Sequence, residues 1–515
     1  MNGAESMLES LINNGVDVCF TNPGTSEMHM VSAIGKTQGM RAILGLFEGV
    51  CTGAADGYGR MAGKPACTLL HLGPGLSNGS ANLHNAYKAN SPIINLIGDH
   101  ATYHKKHDAP LTSDVIGLAT PVSHWVKTSV DAKSLPNDAV QAVNIANTGL
   151  GKISTLIVPA DCAWNESVAP ISENNRPRIP TVEKAAVDVA MQLLSNGKPT
   201  LLLLNNMALT EPSLVLVDKI AQASGARVFR DTFIRRMPRG KGCCAVERLG
   251  YFSEEAMEQV KGIEQFIMVG TKAPVAFFAY PDKENEFYSK NTTLHTLCTQ
   301  DENAEDALHH LVQALGANNI APRFVQLEKP GLGTGDLTPE TIGQTFSELM
   351  PSNAIIVDEA VTSSGPCQKY SATSEYHDWI DLTGGSIGFG LPFSIGAAVA
   401  CPDRKVICIH GDGGAMYTIQ SLWTIARENL DICIVVFANR KYQILQVELT
   451  RVGAKSINDK TRDMLDIGRP DLNFVNLAQG MGVNASQATT IDEFNQQYKE
   501  AMQHKGPRLI EAIIP

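Results

Sequence analysis

Short, β-rich apolar runs recur along this chain, separated by longer stretches with helical spacing. A first group of candidate strands falls at Val18–Thr21, Ala42–Phe47, Ala66–His71, Ile93–Ile97 and Thr155–Val158. A second group comprises Thr200–Leu204, Arg227–Phe229, Phe266–Val269 and Leu294–Leu297. A third comprises Ala354–Val357, Lys405–His410, Ile432–Phe437 and Arg508–Ile514. Continuous apolar runs alternating with helical stretches predict parallel sheets covered by helices on both faces. At the N-terminus Met7, Leu8, Leu11 and Ile12 share one face of an amphipathic helix. Two polar, Pro-rich stretches, Val168–Pro180 and Ala321–Gly335, read as linkers, the second preceding a helix that starts near Pro339. The pattern therefore predicts an α/β chain of three doubly wound parallel-sheet domains, over residues 1–168, 181–320 and 336–515.

Ligands of such sheets sit beyond the carboxyl ends of strands. One strand end carries Gly411-Asp412-Gly413-Gly414, and the next delivers Asn439. A glycine turn lets backbone N–H groups approach a phosphate, and a following helix favours its charge. Asp412 and Asn439 are hard oxygen ligands suited to Mg²⁺. The plainer reading of the turn is a tight bend with a helix-capping Asp. A second strand end carries Phe47-Glu48-Gly49, a lone carboxylate closing an apolar run. A buried carboxylate needs a partner or a raised pKa. Salt bridging or helix capping is its ordinary fate.

Taken together, Asn22-Pro23-Gly24-Thr25, Glu48, Gly73-Pro74-Gly75 and the Gly411–Asn439 motif resemble the thiamine-diphosphate enzymes of the 2-oxoacid decarboxylase and acetolactate synthase group. The likeness runs over nearly the whole chain and looks closest to acetolactate-synthase-like and benzoylformate-decarboxylase-like members. It implies a pyrimidine-binding N-terminal domain, a central domain and a diphosphate-binding C-terminal domain. It also implies thiamine diphosphate and Mg²⁺ as cofactors, with Asp412, Asn439 and the Lys441 carbonyl on the metal. Gly413, Gly414 and Ala415 would offer N–H groups to the diphosphate, with Thr362 as a further contact. The Gly385 carbonyl would accept a bond from the cofactor's amino group. Ile387 would be the apolar wedge beneath it, a role suited to a stiff branched side chain. Glu48 would hydrogen-bond the pyrimidine nitrogen, its apolar neighbours favouring a shared proton.

On the substrate side, His71 and Thr25 match the histidine and hydroxyl that face substrate in benzoylformate-decarboxylase-like relatives. The loop with His100, His104 and His107 is either solvated or, as in pyruvate-decarboxylase-like enzymes, brings His104 or His107 within reach of the site. Departures limit the match. Phe277-Phe278-Ala279-Tyr280 has no histidine where benzoylformate decarboxylase has its second one, and Ala438 precedes Asn439 where many relatives have Asn. The middle segment lacks a Gly-rich flavin pattern, so FAD is not expected. Tyr442–Glu448 lacks the Trp that selects the second substrate of acetolactate synthases. The implied reaction is decarboxylation of a 2-oxo acid, ending in aldehyde release or carboligation to a second carbonyl. Acetolactate-synthase-type carboligation is the alternative within that class. A cofactor-binding paralogue that only regulates or scaffolds a partner is the alternative outside it. Because Glu48 and the diphosphate site come from different subunits in this group, a homodimer is the smallest competent unit and a homotetramer the expected assembly.

Composition narrows the partners. Hydrophobic residues make up 43% and charged residues 18%, with a net charge of −11, which speaks against nucleic acid or an anionic membrane. The 11 cysteines lack metal-finger spacing and fall mostly in strand-like runs, as small core residues in a reducing compartment. No cleavable leader pattern precedes the first helix and no apolar run is long enough to span a bilayer, so a cytoplasmic location is expected.

Overall fold

The computed structural model describes all residues except 174–176, 282 and 455–457. The first of these gaps falls within the expected Val168–Pro180 linker, so that part of it lies outside the described residues. Among the described residues no helix is long and apolar enough to cross a membrane.

Three sheets organise the chain. The first contains β1 (Val18–Asn22), β2 (Arg41–Leu44), β3 (Ala66–Leu70), β4 (Ile93–Asp99), β5 (Trp125–Thr128) and β6 (Ile153–Pro159), in the order β2-β1-β3-β4-β6-β5. The next strands are β7 (Thr200–Leu204), β8 (Arg227–Arg230), β9 (Met237–Arg239), β10 (Glu247–Arg248), β11 (Gln265–Val269) and β12 (Thr293–Cys298). They form the middle sheet, β10-β8-β7-β11-β12, except for β9. The third contains β13 (Ala354–Glu359), β14 (His377–Asp381), β15 (Val406–Gly411), β16 (Ile432–Ala438), β17 (Asn484–Ala488) and β18 (Arg508–Ile513). Its order is β17-β18-β16-β15-β13-β14-β9, so Met237–Arg239 leaves the middle of the chain to close its edge. Among the described residues, every pairing between these strands is parallel except β14 with β9.

The apolar runs are continuous because each strand feeds two cores. On β15, Val406 and Cys408 face one core while Ile407 and Ile409 face another. On β16, Ile434 and Val436 face the first and Val435 and Phe437 the second. This is the two-residue alternation of a strand buried on both sides. The middle sheet repeats it with Leu202 and Leu204 against Leu201 and Leu203.

Six of the helices flank the strands of interest in sequence, and all but the last bury residues in the domain cores. They are α1 (Gly3–Asn13), α2 (Glu48–Ala62), α3 (Leu72–Lys88), α4 (Pro339–Leu349), α5 (Gly390–Ala400) and α6 (Gln443–Arg451). Met7, Leu8 and Leu11 of α1 are buried as predicted, and α4 starts at Pro339 behind its Thr338 cap. The first and third sheets share one core through α2 and α5, which join Val50, Ala54 and Tyr58 to Leu391, Phe393 and Ala397. The two helices approach closely because small residues face each other. A Cβ on Gly57 would lie 2.0 Å from the Phe393 carbonyl oxygen, and one on Gly396 1.8 Å from that of Ala54.

The Ala42–Phe47 run departs from expectation. Its strand stops at Leu44, and Glu48 opens α2 instead of ending a strand. Gly45 is the break: a Cβ there would lie 2.8 Å from the Cys51 sulfur, so the turn folds tightly onto the helix. An acidic residue in a first helical turn is favoured by the helix dipole. His71 likewise lies just past β3, at the cap of α3.

Candidate active site

β15 delivers Asp412, first residue of a single helical turn, Asp412–Ala415, and the adjacent β16 delivers Asn439. Asp412 is buried. Its Oδ1 accepts the Gly413 N–H at 2.8 Å and its Oδ2 the Arg440 N–H at 2.6 Å, which ties the two strand ends together. Asn439 Oδ1 accepts the Lys441 N–H at 3.1 Å. Arg440 adopts φ +60° to turn the chain, and Lys441 bridges to Asp466. Burial pushes the Asp412 pKa up, against the pull of the Arg440 and Gly413 N–H groups. A cation beside it would reverse that shift.

A narrow cavity of about 70 Å³ opens here. Its walls include Thr362, Ile387, Asp412, Gly413, Gly414, Asn439 and Lys441, all predicted contacts, together with Tyr442 and Ile444. The glycines are needed. A Cβ on Gly413 would lie 2.4 Å from the Tyr442 ring, and one on Gly414 3.0 Å from both Glu359 Oε1 and His410 Cε1. The donor set is hard oxygen beside glycine N–H groups, which fits a diphosphate carrying Mg²⁺. Ala415 is buried outside the lining, and Gly385, at φ +74°, lies on the neighbouring loop.

Two residues of this half were not singled out from the sequence. Glu359, the last residue of β13, is fully buried beneath the loop that carries Ile387. Its two oxygens accept the N–H groups of Gly388 and Gly390, each at 2.5 Å. His410 Nε2 stands 3.0 Å from Glu359 Oε2, and its Nδ1 donates to the Gly411 carbonyl at 3.0 Å. Burial alone would press the His410 pKa down; the Glu359 carboxylate outweighs it and holds the ring above its ordinary value. The signal was present in the sequence, since Glu359 closes β13 and His410 is the last residue but one of β15.

The other half is built on the first sheet. Glu48 is buried, and its Oε2 accepts from Asn78 Nδ2 of α3 at 2.9 Å. That bond satisfies one carboxylate oxygen without supplying a counter-charge. A Cβ on Gly75 would lie 3.3 Å from His71 Cβ and 3.4 Å from Glu48 Oε1, so the two side chains are neighbours. His71 Nδ1 meets Glu27 Oε2 at 2.9 Å and Ser26 Oγ at 3.0 Å. Glu27 is fully buried and also accepts from the Gly24 N–H and the Ser26 hydroxyl. A carboxylate on Nδ1 fixes the ring's orientation and leaves Nε2 free. Gly24 is required, because a Cβ there would lie 2.2 Å from the His71 ring.

Thr25 is exposed at the start of a short helical turn, and the hydroxyl on His71 is that of Ser26. His100, His104 and His107 form a row of tilted rings 5.5 Å apart; His104 and His107 are exposed, and only His100 is partly buried. Phe277 and Phe278 are about half exposed. α3 joins the halves: Asn82 Nδ2 donates to the carbonyls of Gly49 and Gly388, and Asn85 exchanges bonds with the main chain of Ser386. Among the described residues, none of the cavity lining comes from the first sheet.

The same chain matches two family descriptions, thiamine pyrophosphate enzyme, N-terminal TPP binding domain over residues 1–131, and its C-terminal TPP binding domain over residues 362–512. A Mycobacterium tuberculosis protein carrying the name acetolactate synthase large subunit is 45% identical over 519 residues, covering 100% of this chain and 99% of that one. Benzoylformate decarboxylase of Pseudomonas aeruginosa is 27% identical over 533 residues, covering 98% and 97%. Among solved structures, the thiamine diphosphate-dependent 4-hydroxybenzoylformate decarboxylase of Rhodococcus jostii RHA1 superposes with a TM-score of 0.84 at 22% identity, covering 100% and 99%. Benzoylformate decarboxylase from Polynucleobacter necessarius gives 0.87 at 20% identity, again covering 100% and 99%. These two show that the three-domain fold is shared.

Proposed function

This chain belongs to the family of thiamine pyrophosphate enzymes, and we propose that it decarboxylates a 2-oxo acid with thiamine diphosphate and Mg²⁺. The observation that carries the reading is the neighbourhood of Glu48 and His71, a buried carboxylate beside a histidine held by the Glu27 carboxylate. Asp412, Asn439 and the Lys441 carbonyl would hold the metal, with Gly413 and Gly414 on the diphosphate. Ile387 would support the bend of the cofactor, and Glu48 would share a proton with its pyrimidine nitrogen. When bound, the cofactor supplies an electron sink for the pair left by departing CO₂. His71, fixed through Nδ1, would use Nε2 to orient the substrate carboxylate or to deliver a proton to the product. Thr25, exposed beside Ser26, would contact substrate through its hydroxyl. FAD has no part in this reading.

The cavity lined by C-terminal residues alone supports completion of the site by a second subunit, hence a homodimer as minimal unit and a homotetramer as the assembly. The name of the 45% identical relative favours a second outcome, carboligation of the decarboxylated fragment to another 2-oxo acid. CO₂ release from a panel of 2-oxo acids, with and without an acceptor aldehyde, separates the readings. We expect release that depends on added thiamine diphosphate and Mg²⁺, with aldehyde as product when no acceptor is present. Cofactor binding without CO₂ release from any member would make the chain a scaffold. Flavin absorbance in the purified protein would restore the synthase reading.

A further inference from the structure

A cavity of about 450 Å³ lies where the three sheets' domains meet, and it shares no lining residue with the cavity at Asp412. Its cations are Arg60, Arg235 and Arg236, and its carboxylates Glu211 and Asp378. Two of the three arginines are neutralised. Arg60 is paired with Asp56 at 2.5 Å, and Arg236 with Asp378 at 2.9 Å. Asp378 also holds Arg404 at 2.6 Å. Glu211 faces Tyr376, whose hydroxyl donates to it at 3.4 Å.

Arg235 is left over. Among the described residues its side chain has no carboxylate partner, and its Nε is buried without any hydrogen bond. Its main chain is pinned, the carbonyl accepting from Arg60 Nη1 at 3.3 Å. Burial and the flanking guanidiniums of Arg60 and Arg236 outweigh the opposing pull of Asp56, which is already paired with Arg60, and press its pKa below the ordinary arginine value. Arg235 is partly buried and lines the cavity, and a partly desolvated charge with no ion partner among the described residues favours an anion there. The rest of the wall suits a small organic body: Leu150, Ile179, Leu209 and Pro238 are apolar, and Tyr376 offers a ring. The N-terminus of the Glu211–Ser224 helix, which has no side-chain cap bond, opens onto the same space.

We propose that this junction cavity binds a small organic anion, a carboxylate or phosphate on an apolar or aromatic body, with Arg235 as its counter-ion. Such a ligand touches all three domains at once and stabilises their arrangement by mass action. The guanidinium supplies planar, paired donors for either anionic head.

The test uses the full-length protein with benzoate, phenyl phosphate and inorganic phosphate as probes, at matched ionic strength with chloride as reference. Calorimetric titration and thermal melting are read on the wild type, Arg235→Lys and Arg235→Gln. We expect at least one of the two organic probes to bind and raise the melting temperature. Its affinity should fall at least tenfold in Arg235→Gln and be partly retained in Arg235→Lys. Which organic probe binds tells the carboxylate source from the phosphate source. Binding of inorganic phosphate alone, or a shift that survives in Arg235→Gln, would overturn the proposal. Should Arg235→Gln fail to fold, a crystal structure of the wild type with phenyl phosphate decides: the probe on Arg235 supports the site, and a carboxylate of a neighbouring subunit on Arg235 refutes it.

Discussion

Glu359 shows how one buried carboxylate can set the shape of a loop. Its two oxygens bind the N–H groups of Gly388 and Gly390, on either side of the turn that follows Ile387, while His410 supplies the counter-charge. Hydrogen bonds to a charged group contribute about 1.5–3 kcal/mol each, and breaking a buried pair costs about 3–5 kcal/mol. Glu359→Gln keeps the volume but turns one acceptor into a donor facing an N–H. We expect it to lower stability by about 2–4 kcal/mol in denaturant unfolding. Turnover at saturating cofactor should fall as well, and an unchanged kcat would mean that the loop holds its own shape. At this scale the sequence was legible where a residue type is chemically unusual at its place. Asp412, Asn439 and Glu48 stood out beside glycines and apolar runs. Glu27 and Ser26 did not, because their role depends on His71, which reaches them from another strand end.

The elements were legible where apolar runs were unbroken, and lost where charge is buried. β14, His377-Asp378-Trp379-Ile380-Asp381, reads as polar, yet all five residues are buried. Asp378 is covered by Arg236 and Arg404, and Asp381 by Arg230 at 2.9 Å. Those partners lie far off in sequence, so the strand could not be recognised by pattern. β5 and β17 escaped for a different reason: they are partly exposed outermost strands of mixed polarity. Burial in β14 has a pH consequence. Burial, with help from Arg239, pushes the His377 pKa down to about 3, so the ring is held neutral in the fold. The unfolded chain takes up this proton below its ordinary value near 6.5 and the folded chain does not. Stability therefore falls as pH drops from about 6.5 toward 3, by about 1.4 kcal/mol per pH unit for one group. His377→Gln should flatten the slope by one proton in melts taken at a series of pH values. An unchanged slope would place the acid sensitivity elsewhere, with His124, likewise pushed down to about 4 by burial, as the next group to replace.

At the scale of the molecule, three sheets with the same alternation of strand and helix could be grouped from the sequence, but their crossings could not. Met237–Arg239 joins the third sheet although its sequence neighbours belong to the second, since an edge pairing of three residues leaves no periodic trace. The α2–α5 contact that fuses the first and third sheets was equally hidden, because its close approach depends on Gly57 and Gly396. This fusion sets the Glu48 half and the Asp412 half on one body, with the Asp412 cavity lined from its own domain alone. Under the proposed reading, each working site would combine Glu48 of one subunit with Asp412 of another. Mixing separately purified Glu48→Gln and Asp412→Ala proteins under conditions of subunit exchange tests that requirement. Each variant alone should be nearly inactive. A heterodimer would hold one intact site and one doubly defective site, so random exchange should restore about a quarter of wild-type activity. No recovery after demonstrated exchange, or near-wild-type turnover by Glu48→Gln alone, would contradict a site shared between subunits.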